Sequence, residues 1–423
     1  MITTVTEDVA IIGAGVVGIA TALCLQDAGF SVVLIDRDEP GAGCSSGNAG
    51  VIANSFVLPL SSFAHILGAP KMLLDRSAPL SLPLRHAFNY APWLWRFALN
   101  AFPKNRRHTI DRLVQINEAS LPAWQRLLPQ EMYSSIFVER GMLDVVAHGR
   151  SVDAIASNVQ VLSAEGVPIE LLDPKQVGEL EPLLKGKVAG GALHRGVVQV
   201  TDPALLSEAM MKKFLAQGGV SVRLDVASVR PVVEGVEVVG SGRTLRAHRA
   251  VITAGWWSPA LVSPYNEHAP LRAERGYHVM LPGVPQSFSR PVSFHHESFL
   301  ATPMAGGLRL AGTVELAPPD AKPDWRRADN LLKLALSYLP ELETSGMSRW
   351  VGSRPSFADS LPAIGQVRAS PNIIYSFGHQ HLGLTWAAIS AEYVRDIIRG
   401  NMPDNYQSFS LSRFSGLNAG PVA

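Results

Sequence analysis

The spacing of apolar positions changes along the chain, and the changes mark its elements. Val9–Ile12 is an unbroken apolar run, too short for a helix and the right length for a buried parallel strand. Gly13, Gly15 and Gly18 follow as G-x-G-x-x-G, and Val16 and Val17 open a helical pattern that stops at Gly29. In such a motif the first glycine permits a tight turn and the second lets backbone approach a pyrophosphate. The third lets the helix pack against the strand. Gly29 stands where a left-handed residue ends a helix. Ser31–Ile35 returns to strand. Asp36 sits at its carboxyl end, beside Arg37, where an acid accepts hydrogen bonds from ribose hydroxyls. A glycine triplet alone is weak evidence. Strand, turn, helix, strand and acid in this order predict a dinucleotide site.

Beyond Arg37 the pattern loosens. Glu39–Asn54 is built of small residues with Ser45, Ser46 and Asn48, whose polar groups suit phosphate or ring edges. Its place directly after the dinucleotide motif favours a cofactor loop over an ordinary turn. Phe56–Pro129 reads as helical, rich in proline and aromatics. Within it, Asn89–His108 combines Trp93, Trp95, Phe97 and Phe102 with Arg96, Lys104, Arg106 and Arg107. Two readings stand: an interfacial surface that docks on a membrane, or a core helix followed by a solvated basic turn. Ile136–Ala147 alternates like a strand around Gly141, and Ser151–Ser163 is helical. The strands of Gly190–Leu206 end at Asp202, a good helix cap, with Pro203 in the first helical position. Short strands follow over Val220–Ser258. Phe294–Leu316 reads as a hairpin turning at Gly306–Gly307, and Asp324–Leu342 as an amphipathic helix. A last helix starts at Thr385 and stops at Gly400, and Leu411–Ala423 reads as a loose tail.

Composition narrows the classes. At 423 residues, 47% apolar and 17% charged, the chain is long enough for two domains with large cores. A net charge of +1 points to neither nucleic acid nor an acidic partner. The two cysteines, Cys24 and Cys44, form no C-x-x-C, which argues against a disulfide framework or a zinc site and fits a reducing cytoplasm. Glu7 and Asp8 precede the first apolar run, so no signal peptide is expected. Val9–Leu25 is apolar enough to imitate a membrane span, but its three glycines and strand–turn–helix pattern speak against one. His295, His296 and Glu297 are adjacent strand residues that point to opposite faces, so no metal site is expected there.

The glycine motif, the acid and the loop Ser45-Ser46-Gly47-Asn48-Ala49-Gly50 together resemble the FAD-dependent amine oxidoreductases. That family includes D-amino-acid oxidase, glycine oxidase, sarcosine oxidase and the bacterial D-amino-acid dehydrogenases, and the loop is most similar to the last group. The usual acid of the family is Glu; Asp36 offers a shorter arm for the same contact. A second fingerprint lies more than 300 residues on. Trp350–Gly365 matches G-x-R-P-x-x-x-D-x-x-P-x-I-G, and Gly378–Thr385 matches G-H-x-x-x-G-x-T opening a helix. The resemblance covers nearly the whole chain and is weakest over Phe56–Pro129.

The resemblance implies an α/β fold: a glutathione-reductase-like, Rossmann-type FAD-binding domain with an antiparallel-sheet substrate domain, as in D-amino-acid oxidase. It implies a discontinuous FAD-binding domain (1–55, 201–258 and 350–423), a helical insertion (56–129), and a substrate domain (130–200 and 259–349). It carries cofactor contacts onto the front motif and loop already named, onto Val226, Ala254 and Gly255, and onto Gly378, His379, Leu382, Gly383, Leu384 and Thr385. The FAD is expected to be non-covalent, since no cysteine follows the Arg-Pro segment. The implied reaction oxidises a Cα–N bond of a D-amino acid, with D-proline or hydroxy-D-proline as candidates, by hydride transfer from Cα to flavin N5. It yields an imino acid. A glycine- or sarcosine-type amine oxidase, and a flavin-binding subunit of a larger dehydrogenase, are the alternatives. Electrons leave to quinone or oxygen. The location implied is cytoplasmic, or peripheral on the inner face of the cell membrane if Asn89–His108 is interfacial.

Three side chains are candidates for the catalytic site. Arg354 falls where the D-amino-acid and glycine oxidases carry a carboxylate-binding arginine, and a planar bidentate cation suits that task. Tyr277 could join it on the carboxylate. His278 could deprotonate the incoming ammonium or bind a side-chain hydroxyl. As strand neighbours, only one of these two should face the ligand.

Overall fold

The computed structural model describes residues 2–62, 66, 79–283 and 288–415. Its first layer is an eight-stranded sheet. Five of the strands run parallel: Val220–Arg223, Val32–Asp36, Ile2–Ile12, Arg243–Ile252 and Ser370–Phe377. Gly235–Gly240 and Val226–Val232 extend it antiparallel, and Ala363–Val367 pairs antiparallel with Ser370–Phe377. The central strands are continuous apolar runs because both faces are covered. Val9, Ala10 and Ile11 have no exposed surface.

The helix Val16–Asp27 is apolar on every side and packs between this sheet and the helix Gly383–Ile398. It ends as expected at Gly29, whose φ is +92°. The second strand of the motif is offset by one residue, Val32–Asp36, so that Asp36 itself belongs to the strand. The helix Pro203–Ala216 starts at Asp202, whose carboxylate accepts the Ala204 N–H at 2.8 Å.

The second layer is a ten-stranded, mostly antiparallel sheet. Its central strand, Arg272–Pro282, pairs from Arg272 to Met280 with Ser348–Ser356 on one edge. On the other edge it pairs with Gly307–Ala311 and Val314–Leu316. Phe299–Met304, Val292–Phe294, Met142–Ala147, Val188–His194 and Ile169–Leu172 continue the sheet in that order. One face of it is apolar: Val279, Leu281, Leu308 and Leu310 pack on the helix Arg326–Tyr338. The opposite face carries Arg354, His278, Arg309 and Asp144, and the alternation of strand side chains assigns each to that side.

Three expectations need correction. Within Phe56–Pro129, the described helices are Leu84–Asn100 and Pro103–Leu127, and Ile66 is helical; Ala53–Ser62 is turn and coil, Leu80–Ser81 is a strand, and 63–65 and 67–78 lie outside the described residues. The last helix begins at Gly383, two residues before Thr385. Part of the expected tail is packed: Leu411 and Phe414 are buried, Phe414 stacks on Phe357 at 5.2 Å, and Arg413 pairs with Asp359 at 2.7 Å. Residues 416–423 lie outside the described part. No helix among the described residues is long and apolar enough to cross a membrane.

The helix Leu84–Asn100 divides the two readings of the aromatic segment between its sides. Trp93 is buried with its indole N–H on the Ser356 carbonyl at 3.1 Å, and the Tyr90 hydroxyl donates to the Ala273 carbonyl at 2.7 Å. On the outer side Leu84 is 93% exposed, Phe88 89% and Trp95 68%. Arg107 is held by Asp111 and Glu165, which removes it from the basic set.

Candidate active site

All five parallel strands end at one cleft of about 310 Å³, lined at those ends by Gly13, Asp36, Leu224, Thr253 and Gly378. Open α/β sheets bind ligands at this edge. Gly13 has φ +109°, and a Cβ there would stand 2.6 Å from the Thr253 carbonyl oxygen. A Cβ on Gly18 would overlap the Gly13 carbonyl. Gly18 does not line the cleft; it brings the helix onto the strand. Gly15, Val16 and Val17 do line it, at the helix N-terminus, where the first-turn N–H groups and the helix dipole favour an anion.

The loop after Asp36 closes over this turn. Ser45 Oγ accepts the Val16 N–H at 2.9 Å, and Asp36 accepts the Ala14 N–H at 2.6 Å. Asp36, Ser45 and Asn48 face the cleft, whereas Ser46, Ala49 and Gly50 do not. The Ser46 carbonyl instead accepts from buried Arg309 at 3.0 Å, as does that of Asn48. Gly50 (φ +70°) donates its N–H to Asn48 Oδ1 at 2.9 Å. Arg309 thus ties the loop to the second sheet. At the adenosine end, Val226, Ala254 and Gly255 line the cleft. There Arg37, expected at the cofactor site, also lines the cleft, with its guanidinium 3.9 Å over the ring of Trp257, a residue that the sequence did not single out.

At the far end stand Gly378, His379, Gly383 and Leu384. His379 Nε2 lies 2.9 Å from Ser390 Oγ, and burial pushes its pKa down to about 3, so it is a neutral structural group. Thr385 turns its hydroxyl away from the cleft and accepts the Ala53 N–H at 2.9 Å, which leaves its backbone N–H in the first helical turn. Leu382 lines a second cavity rather than the cleft.

Arg354 sits opposite Glu274 in the pairing of their strands. Its guanidinium lies across Gly276, where any Cβ would overlap it. Its hydrogen bond is a long one, 3.4 Å to the Thr313 carbonyl, and no carboxylate lies within 4.0 Å of it among the described residues. Asp359, the acid of the same motif, is taken by Arg413. Burial pushes the Arg354 pKa below the usual arginine value and raises that of Glu274, with each partner's charge opposing the shift. Arginine remains charged regardless. The field of Arg354 acts on Cys44, which lines the cleft, and on His381, which lines the second cavity. Its chain neighbours Ser353 and Pro355 line the cofactor cleft.

Strand alternation separates Tyr277 from His278. Tyr277 is not brought to Arg354: it points into the far side, where its hydroxyl donates to Glu315 at 2.6 Å and its ring meets Trp325 edge-on. His278 faces Arg354 and is stacked on Trp350 at 4.9 Å, with Nδ1 donating to the Gly47 carbonyl at 3.2 Å. Burial, with Arg309 and Arg354 nearby, holds its pKa at about 4. It is a neutral hydrogen-bonding group near pH 7, which speaks against a role as base for the ammonium. Trp350 explains two glycines, since a Cβ on either Gly47 or Gly352 would overlap its ring.

The cleft fits a flavin dinucleotide. Beyond the glycine cradle, Ser376 Oγ and Gln380 Nε2 are buried at its far end without a partner among the described residues. A bound ring with polar edges would satisfy both. The family model described as FAD dependent oxidoreductase matches residues 8–397. The chain belongs to this family. It is 30% identical to the D-amino-acid oxidase of Bradyrhizobium diazoefficiens, over 96% of this chain and 98% of that one. It is 29% identical to the D-amino acid dehydrogenase of Agrobacterium fabrum, over 96% and 100%. In fold it is similar to the glycine oxidase of Geobacillus kaustophilus, with a TM-score of 0.76 and 21% identity over 98% of this chain and all of that one. The FAD cofactor and the α/β class expected from the sequence are both those of the family.

Proposed function

We propose that this FAD-dependent oxidoreductase oxidises the Cα–N bond of a D-amino acid to an imino acid. The observation that carries the reading is Arg354: a buried charged side chain, flanked by Ser353 and Pro355 of the cofactor cleft and without a carboxylate of its own within 4.0 Å among the described residues. A buried charge calls for a partner, and an amino-acid carboxylate matches the guanidinium fork. The likeness to a D-amino-acid oxidase and a D-amino acid dehydrogenase favours the D-series. Bound FAD supplies the two-electron redox chemistry. The chain's own work is to hold and orient. Arg354 fixes the carboxylate, and Gly276 leaves room for that grip.

In this reading residues 1–55, 201–258 and 350–423 serve the cofactor, and 130–200 and 259–349 serve the substrate. The strand Ser348–Ser356 straddles that line, since it brings Arg354 to the substrate side. The acceptor is a quinone or oxygen. The exposed apolar side of Leu84–Asn100, with Arg85 and Lys104 near it, supports peripheral contact with an anionic membrane, where a quinone would be at hand.

The test is anaerobic mixing of the flavin-loaded protein with D-amino acids, L-amino acids, glycine and sarcosine. Loss of the yellow colour with D-amino acids is the expected result. Preference for L-amino acids or sarcosine over every D-amino acid would overturn the reading.

A further inference from the structure

The helix Leu84–Asn100 carries more than its exposed apolar side. Leu84, Phe88, Trp95 and Leu99 form that side, spaced by one or two helical turns. The neighbouring row holds Arg85, Asn89 and Arg96, so one flank of the apolar stripe is basic. Two further groups meet that flank, both from the segment that leads into the strand Arg272–Pro282. Both Nη atoms of Arg96 lie 3.5 Å from His268 Nε2. Arg272 Nε donates to the Asn89 carbonyl at 3.2 Å, and its Nη1 to the Leu271 carbonyl at 3.0 Å. All three side chains are half-buried. Burial and the charge of Arg272 lower the pKa of Arg96, and burial with both arginines lowers that of His268. The guanidiniums stay charged, and the imidazole is neutral near pH 7.

No carboxylate settles this charge. Among the described residues neither Arg96 nor Arg272 has an acid within 4.0 Å. Asp359 acts on Arg96 from further off and is held by Arg413 at 2.7 Å. Glu267, next to His268 in the chain, pairs with Arg368 at 3.5 Å. Two like charges near one another and partly out of water call for an anion.

We infer that Arg96 and Arg272, with His268 steadying Arg96, form a binding site for the phosphate of an anionic phospholipid headgroup. The inference rests on the membrane contact proposed above and gives that contact a specific site. Phosphate follows from the donors, since guanidinium forks match its oxygens. Lipid follows from the position. When Phe88 and Trp95 enter the acyl boundary, the flank beside them lies at headgroup depth. A site for a free anion has no need of an apolar stripe at its side.

The experiment is cosedimentation of the flavin-loaded protein with phosphatidylcholine vesicles containing phosphatidic acid. The wild type should pellet with them. Arg96→Gln should weaken partitioning by about tenfold or more, the scale of a charged hydrogen-bonded contact. Arg85→Gln, on the same flank but outside the site, should cost no more than about fivefold, the effect of one diffuse charge. Arg96→Lys keeps the charge and loses the fork, so it should also weaken binding, whereas diffuse attraction predicts no change. Flavin content and melting temperature report folding. Arg96→Lys retains a long stem and stands in if Arg96→Gln does not fold. Equal losses in Arg96→Gln and Arg85→Gln, or no loss in Arg96→Lys, would overturn the site and leave the membrane contact standing. Wild-type protein left in the supernatant would overturn both. Micromolar binding of inorganic phosphate without vesicles, lost in Arg96→Gln, would assign the site to a free anion and overturn the lipid.

Discussion

Arg354 is placed by its neighbours more than by its own bonds. Gly276 gives it a flat floor, and Glu274 across the strand pair tempers its charge without closing on it. Replacing it separates shape from charge. Arg354→Met should lower kcat/KM for the preferred D-amino acid by about a hundredfold or more, the scale of a charged pair lost from a desolvated site. Arg354→Lys keeps the charge but not the fork and should still lose about tenfold, mostly in KM. Steady-state kinetics on both variants, with flavin content as control, checks this. Arg354 was legible in the sequence because it belongs to a motif. Trp350, Glu274 and Arg309 were not. They are ordinary residue types whose roles appear only when distant strands are paired. Tyr277 and His278 were ambiguous for a related reason: alternation says that they differ, and only the packed helix Arg326–Tyr338 says which one faces inward.

Elements with strong local signals were predicted well. The front strand, glycine turn and helix follow from apolar spacing and glycine alone, and Asp202–Pro203 announces the next long helix. The errors fall where tertiary contacts override local pattern. Leu411–Phe414 is short and lacks a clear local pattern in the sequence, yet Phe357 and Asp359 give it partners. The tolerance of the front helix can be tested at two glycines. Gly18→Ala places a methyl against the Gly13 carbonyl and should lower the melting temperature and release FAD on gel filtration. Gly29→Ala meets no atom within 4 Å and carries only the strain of φ +92°, on the order of 1 kcal/mol. It should melt slightly lower and retain FAD. Equal loss of flavin in both would show that the close approach at Gly18 does not matter.

At the scale of the whole molecule, the outer side of Leu84–Asn100 presents large exposed apolar side chains among the described residues. Buried Trp93 and Tyr90 hold the helix in place, so its exposed side chains are presented on a fixed support. The double substitution Phe88→Glu and Trp95→Glu should reduce cosedimentation with anionic vesicles several-fold. Raising the salt should weaken the wild type in the same assay, since the basic neighbours act through screened charge. Wild-type protein that stays in the supernatant at low salt would remove the membrane from the picture.

The order of strands in the first sheet also sets a timetable for synthesis. Ile11 pairs with Val251, and Val251 with Ile374, so the cleft is assembled from segments made at the start, middle and end of translation. At typical elongation rates the first strand waits on the order of tens of seconds for its partner. During that interval Val9–Ile12 has Val32–Asp36 on one edge, while its other edge and the outer side of the apolar helix have only water, or a chaperone, to face. Cofactor loading must wait longer still, until Gly383 and Leu384 have left the ribosome.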